Sequence, residues 1–397
     1  IGNLAAWPRV FTEIPAFACN VIWCRSPGNA APDYDWAAPV NDRFSLKDHL
    51  FNPQTVGQLA GEISAGLPGF DAARFQRDVL SGFEDRALMA RLDWMADCLV
   101  PHLATDFPTM ADQLEAALPP ALDPTLQDDD FGQFIHALPG ILAVRHGLAD
   151  HRDRALDLLY AATQRFSMEF YIRPFLNRWP DETLARMAGW AADDNYHVRR
   201  LVSEGTRPRL PWARAVTLTS QQTLPLLDRL HADPTRYVTR SVANHLNDIA
   251  KKQPGKVIAR LNTWQTSGQQ DDQELSWMTR HALRTLIKQG DAAALGLLGY
   301  RRDVPVTARL DLAAKAVRIG ETVQMALTLE APQDLPVIVD YRLKFVRPGG
   351  KDTEKVFKLK TTQITARNGK PKPGAHQITV QVNGIDVAQA AFDLRPA

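Results

Sequence analysis

The 397-residue chain has few cysteines, no long apolar run and almost no net charge, and each shortage closes off a class of protein. Only Cys19, Cys24 and Cys98 occur, and their spacing fits neither a zinc site nor a disulfide framework. A reducing, cytoplasmic setting is therefore the default expectation. No stretch of roughly 18 or more apolar residues is present, so a membrane-spanning helix is not expected. No basic segment leading into an apolar core opens the chain, so a secretory leader is not expected either. Net charge is only +1, from 46 Lys and Arg against 45 Asp and Glu, and it becomes informative only once mapped along the chain.

What is present divides into three parts. Residues 1–40, with Pro8, Pro15, Pro27, Pro32 and Pro39 among Trp7, Trp23 and Trp36, read as an irregular extension. From about 41 to 303 the apolar residues recur at helical spacing, with short loops rich in Pro, Asp and Gly. Beyond 303 polar and apolar residues alternate between turns such as Pro348–Gly350 and Asn383–Gly384, the pattern of a small β-sandwich, immunoglobulin-like in strand count. The fold class is therefore mainly α: a HEAT-like α-solenoid over 41–303, followed by an Ig-like β-sandwich over 304–397.

The solenoid rests on an internal period. Segments beginning at His197, Tyr237 and Trp277 align without gaps, so that Arg200, Arg240 and Arg280 stand forty residues apart. Val198, Val238 and Met278 keep the same interval, as do Val202, Val242 and Ala282. Each segment follows another apolar helix, and two helices per unit of about forty residues is the signature of HEAT-like repeats. Second helices of such pairs line a concave surface, so the three arginines predict a cationic ladder there. Arg173, Arg199, Arg207, Arg209 and Arg284 add charge nearby. A curved basic groove suits an extended polyanion, with nucleic acid the usual one.

One helix carries more than cation. In Tyr237–Lys252, Val238, Val242, Leu246 and Ile249 form the buried stripe, while Arg240, Asn244 and Asp248, each four apart, align a cation, an amide and a carboxylate on one face. Glu169 precedes Arg173 by four residues and Glu204 follows Arg200 by four. Such pairs also merely decorate helices. His245 reads as a packing histidine, and Trp190 and Trp264 read as core.

The strings FSMEFYIRPFLNRWPDETLARMAGWAADDNYHVRRLVSEGTRPRLPWA and RYVTRSVANHLNDIAKKQP resemble the AlkC branch of the alkylation-repair DNA glycosylases, as does SLKDHLFNPQTVGQLA at the start. The resemblance covers roughly residues 42–300. It implies HEAT-like repeats around damaged duplex DNA and hydrolysis of the N-glycosidic bond of cationic N3-alkylated bases. These are chiefly 3-methyladenine, with 3-methylcytosine a further candidate, and removal does not require full base flipping. It implies Glu169, Glu204 and Asp248 as the acidic set, Trp212 as sugar or base contact, and Arg200 and Arg207 as phosphate contacts. Arg173, Arg199, Arg240, Asn244 and Arg280 join them as DNA-facing candidates. Part of the family carries a β-domain at this end.

The chemistry of those residue types is consistent with that activity. An N-alkylated base is already cationic and needs little acid help to leave. The sugar that develops oxocarbenium character is what a nearby carboxylate stabilises, while another orients water. No metal or organic cofactor is needed.

Between Arg342 and Lys372 ten basic residues face only Asp352 and Glu354, ten less two giving a local charge of +8. Lys358 and Lys360 in KVFKLKTT are expected to face DNA from the β-domain. A lysine-rich surface that limits edge pairing is the plainer reading. A monomer in the cytoplasm, acting on duplex DNA without an obligate protein partner, is the corresponding expectation. Three rival readings stand beside it. One is a non-catalytic HEAT-repeat scaffold. Another is a single-strand binder, which needs aromatics between the basic residues where the sequence shows few. The third is a glycosylase of N7-alkylated guanine.

Overall fold

The computed structural model describes residues 10–15, 45–126, 128, 131–211, 213–332, 336–345, 353–358 and 372–396. They gather into two compact units. One takes in Trp36–Gln253 and Thr263–Ala282; the other takes in Ile1–Asp35, Pro254–Asn262 and Leu283–Ala397.

Helices follow one another as the apolar spacing predicts: α1 Leu46–Leu50, α2 Pro53–Gly66, α3 Ala72–Ser81, α4 Leu88–Leu99, α5 Phe107–Ala116, α6 Leu138–Leu142, α7 Arg152–Thr163 and α8 Ile172–Arg178. After them come α9 Pro180–Trp190, α10 Tyr196–Gly205, α11 Ser220–Leu230, α12 Arg236–Ala250, α13 Pro254–Ser267, α14 Asp272–Ala282, α15 Arg284–Lys288 and α16 Ala292–Leu297. Local chemistry starts them. Asn52 accepts from Gln54 and Thr55 amides at 3.0 and 3.1 Å while the Thr55 hydroxyl accepts from the Asn52 amide, a reciprocal cap, and Pro53 sits where no amide is needed. No helix among the described residues is long and apolar enough to cross a membrane.

The forty-residue register becomes packing. α12 lies between α10 and α14. Val198, Val238, Met278, Val202, Val242 and Ala282 are all fully buried, while Arg200 and Arg240 are partly exposed and Arg280 is exposed. From Tyr237 to Ala250 the only residues of α12 that are not buried are Arg240, Asn244 and Asp248.

The second unit is mainly β, with β1 Val10–Pro15, β2 Thr307–Leu312, β3 Ala316–Arg318, β4 Thr322–Glu330, β5 Val339–Phe345, β6 Thr353–Lys358, β7 Gly374–Val382 and β8 Ile385–Arg395. A three-stranded sheet β1-β4-β2 and a five-stranded sheet β3-β8-β7-β5-β6 enclose a core of Val317, Val323, Met325, Leu327, Tyr341, Leu343, Ile378, Val380, Phe392 and Leu394. Among the described residues every pairing is antiparallel except β3 with β8.

Two expectations change here. Val10–Pro15, placed in an irregular extension, pairs with β4 from Val10 opposite Leu327 to Pro15 opposite Thr322. Alternating β-branched residues suit an edge strand, and proline is tolerated at its end. The remainder of 1–40 lies outside the described residues. The division near 303 also moves, because Leu283 onward clusters with the β-strands. The turn after α15 meets the β7–β8 turn backbone to backbone. Gly290 and Gly384 both have positive φ, and a Cβ on Gly384 would stand 2.1 Å from the Gly290 Cα. Asn383 fixes that turn, donating to the Arg301 carbonyl at 2.5 Å and accepting from the Ile338 amide at 2.8 Å.

Candidate functional site

Glu169 stands in the turn before α8, Glu204 near the end of α10, Arg207 just past that helix, and Asp248 near the end of α12. Distant in sequence, they join in one alternating chain of acid and cation. Arg200 pairs with Glu169, donates to the Ser167 hydroxyl at 2.6 Å and lies 3.7 Å from a Glu204 oxygen. Arg207 donates to Glu204 Oε1 at 2.5 Å and, through Nε and Nη2, to Asp248 Oδ2 at 2.9 and 2.8 Å. Lys251 closes the chain on Asp248 Oδ1 at 2.9 Å. The three acids of the sequence reading thus meet, and three cations meet them, so their formal charges balance.

The acids differ in access. Glu169 and Asp248 keep 18% and 13% of their side-chain surface exposed, Glu204 only 7%. Glu204 lies beneath, and its second oxygen accepts from the Ser241 hydroxyl at 2.6 Å. Burial opposes its ionisation, but the Arg200 and Arg207 guanidiniums and the Ser241 bond outweigh burial and hold the carboxyl below the usual carboxylate range. His245 is fully buried under the same chain and bonds the Ser203 carbonyl through Nδ1 at 3.1 Å. Its Nε2 has no hydrogen-bond partner among the described residues. Burial, and then nearby Arg207, pull its pKa down to about 4, so the ring is neutral at pH 7.

Several cations expected to face DNA are committed to the protein. Arg173 is fully buried and donates to the carbonyls of Arg214, Gly205, Arg207 and Pro208 at 2.5, 3.0, 2.7 and 3.2 Å. It is the clamp of the loop that carries Arg207, not a DNA contact. Burial, with Arg207 beside it, lowers its pKa to about 10, which leaves it charged at pH 7. Arg199 grips buried Asp233 at 2.5 and 3.1 Å and the carbonyls of Asp193 and Asp194. Arg200 and Arg207, the two expected on phosphate, bridge carboxylates instead, because two acids flank each of them at low exposure. Arg240 pairs with Asp128 at 2.5 Å, and Asn244 Oδ1 faces His281 Nε2 at 2.8 Å. Of the arginine ladder only Arg280 is exposed.

Aromatic rings interleave these arginines, against the expectation of few. Arg200 lies 4.9 Å from the Tyr237 ring centre, and Arg236 lies 3.9 Å from that of Trp277, which stacks on His281. The sequence hid this because Tyr237 and Trp277 look like core positions. Ser241, Ser167 and Asp128 were also missed. Nothing in the sequence signals a pairing as remote as Asp128 with Arg240, although Ser241 directly follows Arg240. Trp212 and Lys360 lie outside the described residues, as does the Lys358 side chain. Arg342, on β5, is held by Asp386 at 2.6 Å.

Comparison with known proteins adds an independent line. Residues 306–396 match the family model described as the C-terminal Ig-like domain of the uncharacterised protein YhaZ. An uncharacterized protein YhaZ of Bacillus subtilis (strain 168) is 30% identical over 359 residues, covering 84% of this chain and 95% of the relative. Among solved structures, the Pseudomonas fluorescens alkylpurine DNA glycosylase AlkC, bound to DNA containing an abasic site analog, superposes with a TM-score of 0.77 at 33% identity. That match covers 88% of this chain and 99% of that one. AlkD2 from Streptococcus mutans matches at 18% identity over 58% of this chain and 97% of its own, with a TM-score of 0.28, too slight to argue from.

Proposed function

The chain belongs to the AlkC-type family of DNA alkylation repair glycosylases, and we propose that it hydrolyses the N-glycosidic bond of cationic N3-alkylated bases in duplex DNA. 3-Methyladenine is the foremost substrate. The observation that carries this reading is the Glu169–Arg200–Glu204–Arg207–Asp248 chain, which holds three carboxylates in one place, with Arg200 and Arg207 keeping the Glu204 carboxyl below its usual range.

An alkylated base carries its own positive charge and leaves without a proton donor. The transition state puts positive charge on the sugar, and a fixed carboxylate opposite that carbon lowers its energy. Asp248 is the carboxylate assigned to the sugar. Its Oδ2 is fixed by two bonds from Arg207, while its Oδ1 is held, among the described residues, only by Lys251, half-exposed and able to exchange the acid for a strand phosphate. Glu169, the most open acid of the three, is assigned to orienting water. Glu204 is buried beneath both guanidiniums and acts as a positioning residue. Arg240, whose pair with Asp128 stays partly exposed on both sides, and Arg280 are the arginines assigned to the duplex backbone, together with the basic residues of the β-domain. The protein works as a cytoplasmic monomer without cofactor.

The test is release of free base from methylated duplex DNA, resolved by chromatography. The reading predicts release of 3-methyladenine well ahead of 7-methylguanine. Release of 7-methylguanine as the main product would transfer the protein to the N7 specificity. Binding without any release would leave a nucleic-acid-binding scaffold.

A further inference from the structure

Four large apolar side chains are exposed among the described residues, and two of them, Leu126 at 43% and Phe131 at 49%, belong to the loop between α5 and Gln133. The base of that loop is pinned. The Leu122 amide donates to the Gln164 carbonyl at 2.9 Å, Arg165 Nε donates to the Pro119 carbonyl at 2.8 Å, and Gly132 bridges to Phe166. Gly132 has a positive φ, and a Cβ there would fall 1.8 Å from the Arg165 carbonyl oxygen. Only glycine allows that approach, and it fixes the residue next to it, Phe131.

Phe131 is thereby set against the functional face. Its ring meets Tyr237 edge to face at 5.4 Å, and the Arg240 guanidinium stands 5.7 Å from its centre. The same Tyr237 ring carries Arg200, which holds Glu169. One aromatic ring therefore separates Phe131 from the carboxylate chain. Phe131 also walls a groove of about 540 Å³ lined by Glu62, Gln133, His136 and Arg165. A half-exposed phenyl costs solubility and contributes little to a core it does not enter. Beside a row of arginines and carboxylates, it offers an apolar face to deoxyribose or a base edge.

We propose that Phe131 is a duplex-contact residue of this site, packing against the deoxyribose and base edge of the strand whose phosphates meet Arg240. The proposal rests on the glycosylase reading for the ligand class, but it is read by binding rather than by excision. The probe is a duplex with an abasic-site analogue, titrated at several salt concentrations with wild type, Phe131→Ala, Phe131→Trp and Arg240→Ala, alongside thermal melts. Phe131→Ala weakens binding about tenfold, the scale of losing one aromatic contact to a base or sugar. It leaves the salt slope and Tm unchanged, since no counterion is released and no core is opened, and Phe131→Trp restores binding. Arg240→Ala instead lowers the slope by about one. Unchanged affinity for Phe131→Ala overturns the proposal. A loss of affinity accompanied by a fall in Tm assigns Phe131 to packing and overturns it too. Absence of duplex binding by the wild type would defeat the glycosylase reading itself, a separate result.

Discussion

The helical unit uses the same device, an arginine forked between two acids, in two settings. At the surface Arg145 reaches Asp93 and Asp97, each at 2.7 Å, and Arg154 reaches Asp112 and Glu115 at 2.8 and 2.7 Å. Inside, Arg207 reaches Glu204 and Asp248 at nearly the same distances. Geometry hardly differs, but exposure does: Asp93 and Asp97 are more than half exposed, while Glu204 and Asp248 are nearly covered. Water screens the first kind, and such pairs are each worth about 0–1 kcal/mol. The second kind loses hydration that its ion pairs only partly replace, so stability alone is a weak reason to keep it. Three carboxylates held this way are better explained by what they do than by what they hold up.

The largest effect that sharpens the contrast belongs to Arg173. Arg173→Ala strands four carbonyls around a buried void and is expected to cost about 3 kcal/mol or more, read as a loss in urea unfolding. Excision should fall with it, because the freed loop carries Arg207. A loss below about 1 kcal/mol would return Arg173 to the surface class.

Acidification comes next. The Glu204 carboxyl, held below its usual range, supplies stability above that range and loses it as pH falls through the lowered value. His245 works in the same direction. The unfolded chain takes up a proton near its ordinary 6.5, the folded one only near 4, so stability drops between those values. The histidine alone accounts for roughly 3 kcal/mol on the scale of 1.36 kcal/mol per unit. Unfolding free energy measured from pH 7.5 to 4.5 should fall, and His245→Gln should flatten the curve. An unchanged slope in that variant would remove the histidine from the account.

The smallest effect is Arg145→Ala, expected within about 1 kcal/mol of wild type in stability and without effect on excision. A loss comparable to that of Arg173 would erase the distinction between the two settings.

How much of this could be read in the sequence follows from the range of each interaction. The face Arg240–Asn244–Asp248 was legible because one helix sets it, and period alone predicts that α12 shows these three to solvent. The stacking of α10, α12 and α14 was legible because the forty-residue interval repeats. The remote partners, Glu169 for Arg200 and Asp248 for Arg207, were not, since a pairing across 31 or 41 residues leaves no local trace. Arg173 misled for a related reason. Its spacing from Glu169 suggests a surface pair, but buried Ile172, Phe175 and Leu176 bring it inside, where four carbonyls wait. Phe131 had no signal at all, because its place depends on a loop pinned from elsewhere in the fold.

The most direct measurement is single-turnover release of 3-methyladenine from methylated duplex by wild type and Asp248→Asn, with affinity for an abasic-analogue duplex measured on the same preparations. The substitution keeps the shape and removes one charge. The account predicts a loss of about a hundredfold or more in release, the scale of removing a transition-state electrostatic partner, with affinity and fold retained. Release at the wild-type rate by Asp248→Asn would contradict it, and the buried acid–cation chain would then be structure alone.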